Sequence, residues 1–436
     1  MVSIIFGLAA TLIPFVSAQQ PGTYTPEVHP TLTSQQCTKA GGCVTVNTSV
    51  VLDSNYRWLH NVGGSDNCTS QGFNTSVCAD AESCSTDCAL EGVDYASFGV
   101  RTNGSALTLN LFKTENNVTS KVTPRVYLLA DDSTYDMFQL LDREITFDVD
   151  MSQAGCGVNG ALYLSEMSPT GNEGPLNPAG AKYGTGYCDA QCPSLNYING
   201  VANFNGTIGA CCSEMDLWEA NSAAAAFTPH PCNITGVYAC TEPLCGDADK
   251  YAGVCDKDGC DYNAYRNGAP GFYGPGANLT IDTNRPFSVV TQFLTSGNRT
   301  LSEIKRLYIQ DGAVIQNAQT NINGVMPGNS ISDSYCKEQK SVFNATDDFT
   351  ELGGLAEMGG ALGRGMVLIF SIWDDAESRM QWLDATKGTG AGSVRGPCSA
   401  ESGDVGDILA EEPGTRVVFE NIRSGEIGST FVDGGY

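Results

Sequence analysis

Apolar and polar positions alternate with a period of two along several runs of the chain, the spacing that turns one face of a strand toward a core. EITFDVDM (144–151), FSVVTQFL (287–294), MVLIFSIW (366–373) and RVVFENI (416–422) carry this signal and are rich in β-branched and aromatic residues. RLYIQDGAVIQ (306–316) predicts a hairpin turning at Asp311-Gly312, because a primed turn needs positive φ there. One helix is predicted in DDFTELGGLAEMGGAL (347–362), weakened by its glycines. Fifty glycines and eighteen prolines punctuate the rest. Many strands, long loops and a few short helices predict an all-β sandwich with its functional groups on one curved face.

The first eighteen residues, MVSIIFGLAATLIPFVSA, are apolar and end with Val16 and Ala18 in a small-residue cleavage pattern. They are expected to be a signal peptide, although they lack a basic start and Pro14 interrupts them. No other stretch is apolar enough to span a membrane. With no linker, repeat or compact binding module in view, residues 19–436 are expected to form a single domain. Eighteen cysteines, an even number, predict disulfides and a secreted, extracellular protein. Asn-X-Ser/Thr sequons at ten asparagines, from Asn47 to Asn344, agree. A zinc site would need clustered Cys and His, but His29, His60 and His230 stand far apart, so no metal or cofactor is expected. DKDGCDYN (256–263) lacks the remaining ligands of a calcium loop, and GTGAG (388–392) lacks the lysine of a phosphate loop. The net charge of −26 argues against nucleic acid and against an anionic membrane. A neutral, hydroxyl-rich partner would be indifferent to it.

The densest chemistry lies in CCSEMDLWEAN (211–221). Read as a strand, it turns Glu214 and Asp216 to one face and Ser213, Met215 and Leu217 to the other, leaving Glu219 out of phase. A β-bulge at Leu217–Trp218 would bring Glu219 back to the face of Glu214. Two converging carboxyls are the equipment of glycoside hydrolysis, one as nucleophile and one as proton donor. Mutual repulsion is expected to raise one pKa, keeping Glu219 protonated while Glu214 stays ionised. The motif alone is short, and an acidic loop remains open at this point.

Its context is more specific. EMDLWEANSAAAAFTPHPC resembles the active-site strand of glycoside hydrolase family 7, secreted fungal cellulases that retain anomeric configuration. PEVHPTLTSQQCTKAGGC, NGALYLSEM, AGAKYGTGYCDAQC, GMVLIFSIWDD and NIRSGEIGST extend the resemblance along nearly the whole chain. It implies a concanavalin-like β-jelly roll of two curved antiparallel sheets with a cleft for β-1,4-glucan, acting as a monomer. It assigns Glu214 as nucleophile, Asp216 as its partner, Glu219 as acid/base and His230 as a helper at the leaving-group side. Trp58, Trp373 and Trp382 match sugar platforms, whereas Trp218 is expected behind the strand. Tyr163, Asp189 and Gln191 match contacts to sugar hydroxyls, and Arg125 lines the cleft. The same resemblance implies the pairs Cys37–Cys43, Cys68–Cys88, Cys78–Cys84, Cys156–Cys398, Cys188–Cys212, Cys192–Cys211, Cys232–Cys255, Cys240–Cys245 and Cys260–Cys336.

The family contains tunnel-forming cellobiohydrolases and open-cleft endoglucanases. Here VANFNGTIGA (201–210) is short where tunnel members carry an insertion. Tyr56 stands where they usually have a second tryptophan, and Lys250 where they tend to have arginine. ATKGTGAGSVRGP (385–397) is of intermediate length and retains Arg395. These features favour an endo-β-1,4-glucanase with some roof over the product side. A cellobiohydrolase is the alternative within the family, and a silent glucan-binding lectin the alternative outside it.

Overall fold

The computed structural model describes residues 19–70 and 72–432; the expected signal peptide, 1–18, lies outside the described residues. Two large sheets carry the architecture. One has the order Tyr262–Asn263, Ala225–His230, Glu214–Ala220, Val158–Ser165, Met366–Asp374, Arg125–Leu129 and Ser49–Leu52, all antiparallel, with Met137–Phe138 also pairing Met366–Asp374. The other runs Ala313–Gln316, Leu301–Gln310, Phe287–Thr295, Arg143–Asp150, Arg416–Glu426, Ser34–Thr38 and Gly42–Val46. Within it only Ser34–Thr38 and Arg416–Glu426 pair in parallel.

The alternating pattern explains why the sheets stack. Ile145, Phe147 and Val149 of one sheet, and Leu162, Leu164, Leu368 and Phe370 of the other, belong to one buried cluster. At roughly 25 cal/mol per Å² of apolar surface removed from water, such interdigitated faces are the main stabilising contribution. The strand Met366–Asp374 serves both sides. Met366, Leu368, Phe370 and Ile372 enter the inter-sheet core, while Val367 and Ile369 join a second cluster on the opposite face, under the loops that carry Tyr187, Cys188 and Cys212.

The four predicted strands are present, and the hairpin turns at Asp311 and Gly312 with φ of 55° and 79°. The predicted helix over 347–362 is instead two, Asp348–Glu351 and Gly354–Arg364. Gly353, between them, and Gly354, which opens the second, adopt φ of 98° and 55°, a left-handed conformation that one continuous helix does not pass through. All nine implied disulfides are formed. Among the described residues, no helix is long and apolar enough to cross a membrane.

Candidate active site

The strand Glu214–Ala220 carries the bulge that its sequence requires. Against Val158–Ser165, Tyr163 faces Asp216 while Leu162 faces Trp218, so Leu217 has no opposite number. Against Ala225–His230, the register likewise slips between Asp216 and Glu219. Glu219 is thereby turned to the side of Glu214 and Asp216, and all three line a cleft of about 950 Å³. Met215, Leu217 and Trp218 point the other way into the core, where Trp218 meets Phe147, Tyr273, Phe287 and Tyr308 edge-on or tilted. The expectation that Trp218 packs behind the strand therefore holds.

Each carboxyl is held by a neighbour. Glu214 Oε2 accepts the Ala190 N–H at 3.1 Å. The loop bearing Ala190 is tied to the start of the strand by Cys188–Cys212 and Cys192–Cys211. Glu219 Oε1 accepts from Asn159 Nδ2 at 2.9 Å, while Asn159 Oδ1 accepts the Ala220 N–H at 3.0 Å. Asp216 Oδ2 lies 3.0 Å from His230 Nε2, and His230 Nδ1 lies 2.7 Å from the Asp256 carbonyl. With acceptors at both ring nitrogens, His230 has the surroundings of an imidazolium. Burial alone would lower its pKa, but the hydrogen bond and charge of Asp216, with the charge of Glu214, raise it to about 10.

Both glutamates are raised rather than one. Glu214 is pushed well above its ordinary range by burial, then by the charges of Asp216 and Asp189. Burial, followed by the charge of Asp216, pushes Glu219 up to about 8. Burial is the first cause for both, so the group as a whole holds protons that separate carboxyls would release.

On one flank, Tyr163 Oη lies 2.9 Å from Tyr187 Oη, which donates to Asp189 Oδ2 at 2.7 Å. Asp189 Oδ1 accepts the Gln191 N–H at 2.8 Å, and Gln191 Nε2 donates to the Lys257 carbonyl at 2.9 Å. The Arg125 guanidinium lies 3.5 Å from the centroid of the Tyr187 ring and pairs with Asp53 at 2.5 Å. On the other flank, Trp373 and Trp382 are stacked with centroids 6.1 Å apart, and Arg395 Nη1 donates to the Trp382 carbonyl at 3.0 Å.

Tyr56, Arg125, Tyr163, Asp189, Gln191, Trp373, Trp382 and Arg395 all line the same cleft as the carboxyls and His230. Trp58 does not. Tyr56 closes the 3-10 turn Ser54–Tyr56 and faces the cleft. Trp58 lies beyond that turn, 40% exposed, stacked on Tyr24 at 5.9 Å and donating to Asn67 Oδ1. A sugar platform at Trp58 would lie beyond the residues that line the cleft around the carboxyls.

Three contributors are absent from the sequence reading. Asn159 is fully buried beside Glu219, within the otherwise apolar strand Val158–Ser165. Tyr187 relays between Tyr163 and Asp189. Arg306 is 1% exposed in the opposite sheet, and its Nη2 donates to the carbonyl of Leu217, the extra residue of the bulge. Its guanidinium carbon lies 4.2 Å from the centroid of the Phe227 ring. The signal for Arg306 is a charge on the core face of a period-two strand, between Ile304 and Tyr308.

The model of glycosyl hydrolase family 7 matches residues 21–431. A probable endo-beta-1,4-glucanase of Aspergillus terreus is 51% identical over 97% of this chain and 97% of its own length. An endo-beta-1,4-glucanase of Aspergillus oryzae is 51% identical over 96% and 97%. Among solved structures, an endocellulase of Humicola insolens is 44% identical, with TM-score 0.87 over 94% of this chain and 100% of that one. A cellobiohydrolase of Daphnia pulex is 40% identical, with TM-score 0.90 over the same shares. Converging carboxyls on a bulged strand, a tryptophan-flanked cleft and a family model spanning the described chain together place this protein in glycosyl hydrolase family 7.

Proposed function

We propose that this chain is a retaining endo-β-1,4-glucanase that cleaves internal bonds of cellulose and related β-glucans. The observation that carries this reading is the bulge at Leu217, which brings Glu219 round to the side of Glu214 in the cleft. Ionised Glu214 attacks the anomeric carbon as protonated Glu219 gives its proton to the departing glycosidic oxygen. Water then enters, loses a proton to Glu219 and releases the sugar from Glu214 with configuration retained. Asp216 and His230 hold the charge balance between the two. Trp373 and Trp382 offer faces on which the C–H surfaces of glucose can lie.

Two features support internal cutting. No described residue of 192–213 lines the cleft, so the short 201–210 segment does not roof it. Instead, Phe204 stacks on Phe73 and Tyr197 donates to the Cys84 carbonyl, both contacts on the outer lobe. The relatives named endo-beta-1,4-glucanase are also the more similar in sequence. We read the protein as a secreted monomer whose mature chain begins near Gln19; its nine disulfides and its sequons support the secretion.

Viscosity and new reducing ends, followed together on soluble carboxymethylcellulose, test this reading with Glu214→Gln as control. A steep fall in viscosity for few new ends is expected. Ends that accumulate while viscosity barely moves would instead mean processive release from chain ends. Glucan binding without cleavage by the wild type would mean a lectin.

A further inference from the structure

One end of the cleft is cationic in a chain that is otherwise strongly acidic. Lys250, Arg266, Lys340, Lys387 and Arg395 line it around only two carboxylates, Asp258 and Asp261. Those two are already engaged. Lys250 Nζ contacts both oxygens of Asp258 at 2.7 Å, and Arg266 Nη1 pairs with Asp261. The other three cations are left over. Lys340 is only 4% exposed, yet its ammonium has no hydrogen-bond or ion-pair partner among the described residues. Arg395 Nε is buried and likewise unpartnered. The Lys387 ammonium is also without an ion-pair partner among the described residues.

Two further carboxyls lie close to this group. Asp375 accepts from Ser378 and from Trp382 Nε1, and buried Asp348 is pushed up to about 7, chiefly by burial, then by Asp256 and Glu351. Burial, then the charge of Arg395, holds the Lys387 ammonium below its usual range. Burial opposes ionisation of Asp261, but Arg266, Arg395 and Lys340 together hold its carboxyl below the ordinary range. The cluster thus has more positive charge than its own carboxylates use. The buried Arg395 Nε without a partner is costly to maintain, and an anion placed there would relieve it.

Resting on the glucanase reading, we propose that Lys340, Lys387 and Arg395 form a subsite for a sugar carboxylate, so that the cleft accepts acidic glucan units at this end in preference to neutral ones. The chemistry is a carboxylate on a glucose-derived ring or chain end. It can be carried at C1, as in an aldonic acid terminus, or at C6, as in a uronic acid unit. A neutral glucose can lay its C–H surface on Trp373 and Trp382 equally well, but it carries no charge for the two lysines.

Calorimetric binding to the Glu214→Gln protein tests this without turnover, using cellobiose, cellobionate and β-1,4-glucuronosyl-glucose. One of the acids is expected to bind roughly tenfold more tightly than cellobiose at low salt, with the advantage shrinking as ionic strength rises. Lys340→Met and Lys387→Met, made separately in the same background, are expected to shrink that advantage while leaving cellobiose affinity alone. Because Lys387 is exposed, its variant is informative even if loss of Lys340 disturbs folding. A preference for cellobionate places the carboxylate at a chain end, and a preference for the uronate places it within the chain. The proposal is overturned if both acids bind no better than cellobiose, or if the advantage survives both variants. Wild-type cleavage of soluble glucan, measured on the same preparation, separates the two failures. Normal cleavage without acid preference sinks only the subsite, whereas absence of cleavage sinks the glucanase reading.

Discussion

Asp216 stands between the two glutamates in sequence and acts on both. Its charge raises Glu214 and Glu219 alike, while His230 lowers both by a smaller amount. In the proposed mechanism, activity should therefore fall as pH rises through about 8, where Glu219 loses its proton. It should also fall on the acid side at a pH above the ordinary carboxyl range, as Glu214 gains a proton. Asp216→Asn removes the stronger of these two charge effects on each, so both limbs of the kcat/KM profile should move to lower pH. Limbs that stay in place would contradict this account. Arg306 acts at a distance, through the Leu217 carbonyl. Arg306→Met should lower kcat by up to about 100-fold with little change in KM, because small misplacements of an acid group are that costly. A lower Tm with unchanged kcat would reduce Arg306 to a purely structural part.

The catalytic strand works because neighbouring elements fix it on both sides. Cys188–Cys212 and Cys192–Cys211 close loops of 24 and 19 residues and join it to the segment that donates the Ala190 N–H to Glu214. Replacing Cys192 and Cys211 by alanine should lower stability by about 2–4 kcal/mol. It should also lower kcat, since the bond to Glu214 loses one of its two anchors; denaturant midpoints and steady-state kinetics check the two effects separately. This strand is also where the sequence is most legible. The period-two phase error at Glu219 calls for an extra residue, and Leu217 supplies it. Asn159 and Arg306 are less legible. Each reaches the site across a sheet or between sheets, and a pattern along one strand does not show which strand lies beside or behind it.

At the scale of the whole molecule, the alternating runs identify a two-sheet sandwich, and the observed sheets agree with them. The eight fully buried residues of Val158–Ser165 escape that reading, because a strand covered on both faces has no polar phase. The helix Asp333–Val342 escapes it for another reason. It packs Tyr335 and Gln339 against Asp261 through polar contacts, and so lacks a strong apolar stripe. Trp58, just past the turn at Ser54–Tyr56, is exposed beyond the residues that line the cleft with the carboxyls, and position along the chain alone does not show that.

In the proposed mechanism, Glu214 forms a covalent bond to the sugar while Glu219 handles the proton. A 2-deoxy-2-fluoro-cellobioside with a good leaving group slows hydrolysis of such an intermediate enough for peptide mass mapping. One added fluorocellobiosyl unit per protein is expected, carried by the peptide containing Glu214, and none in Glu214→Gln. A label on Glu219, or rapid turnover with inverted product and no label, would contradict it.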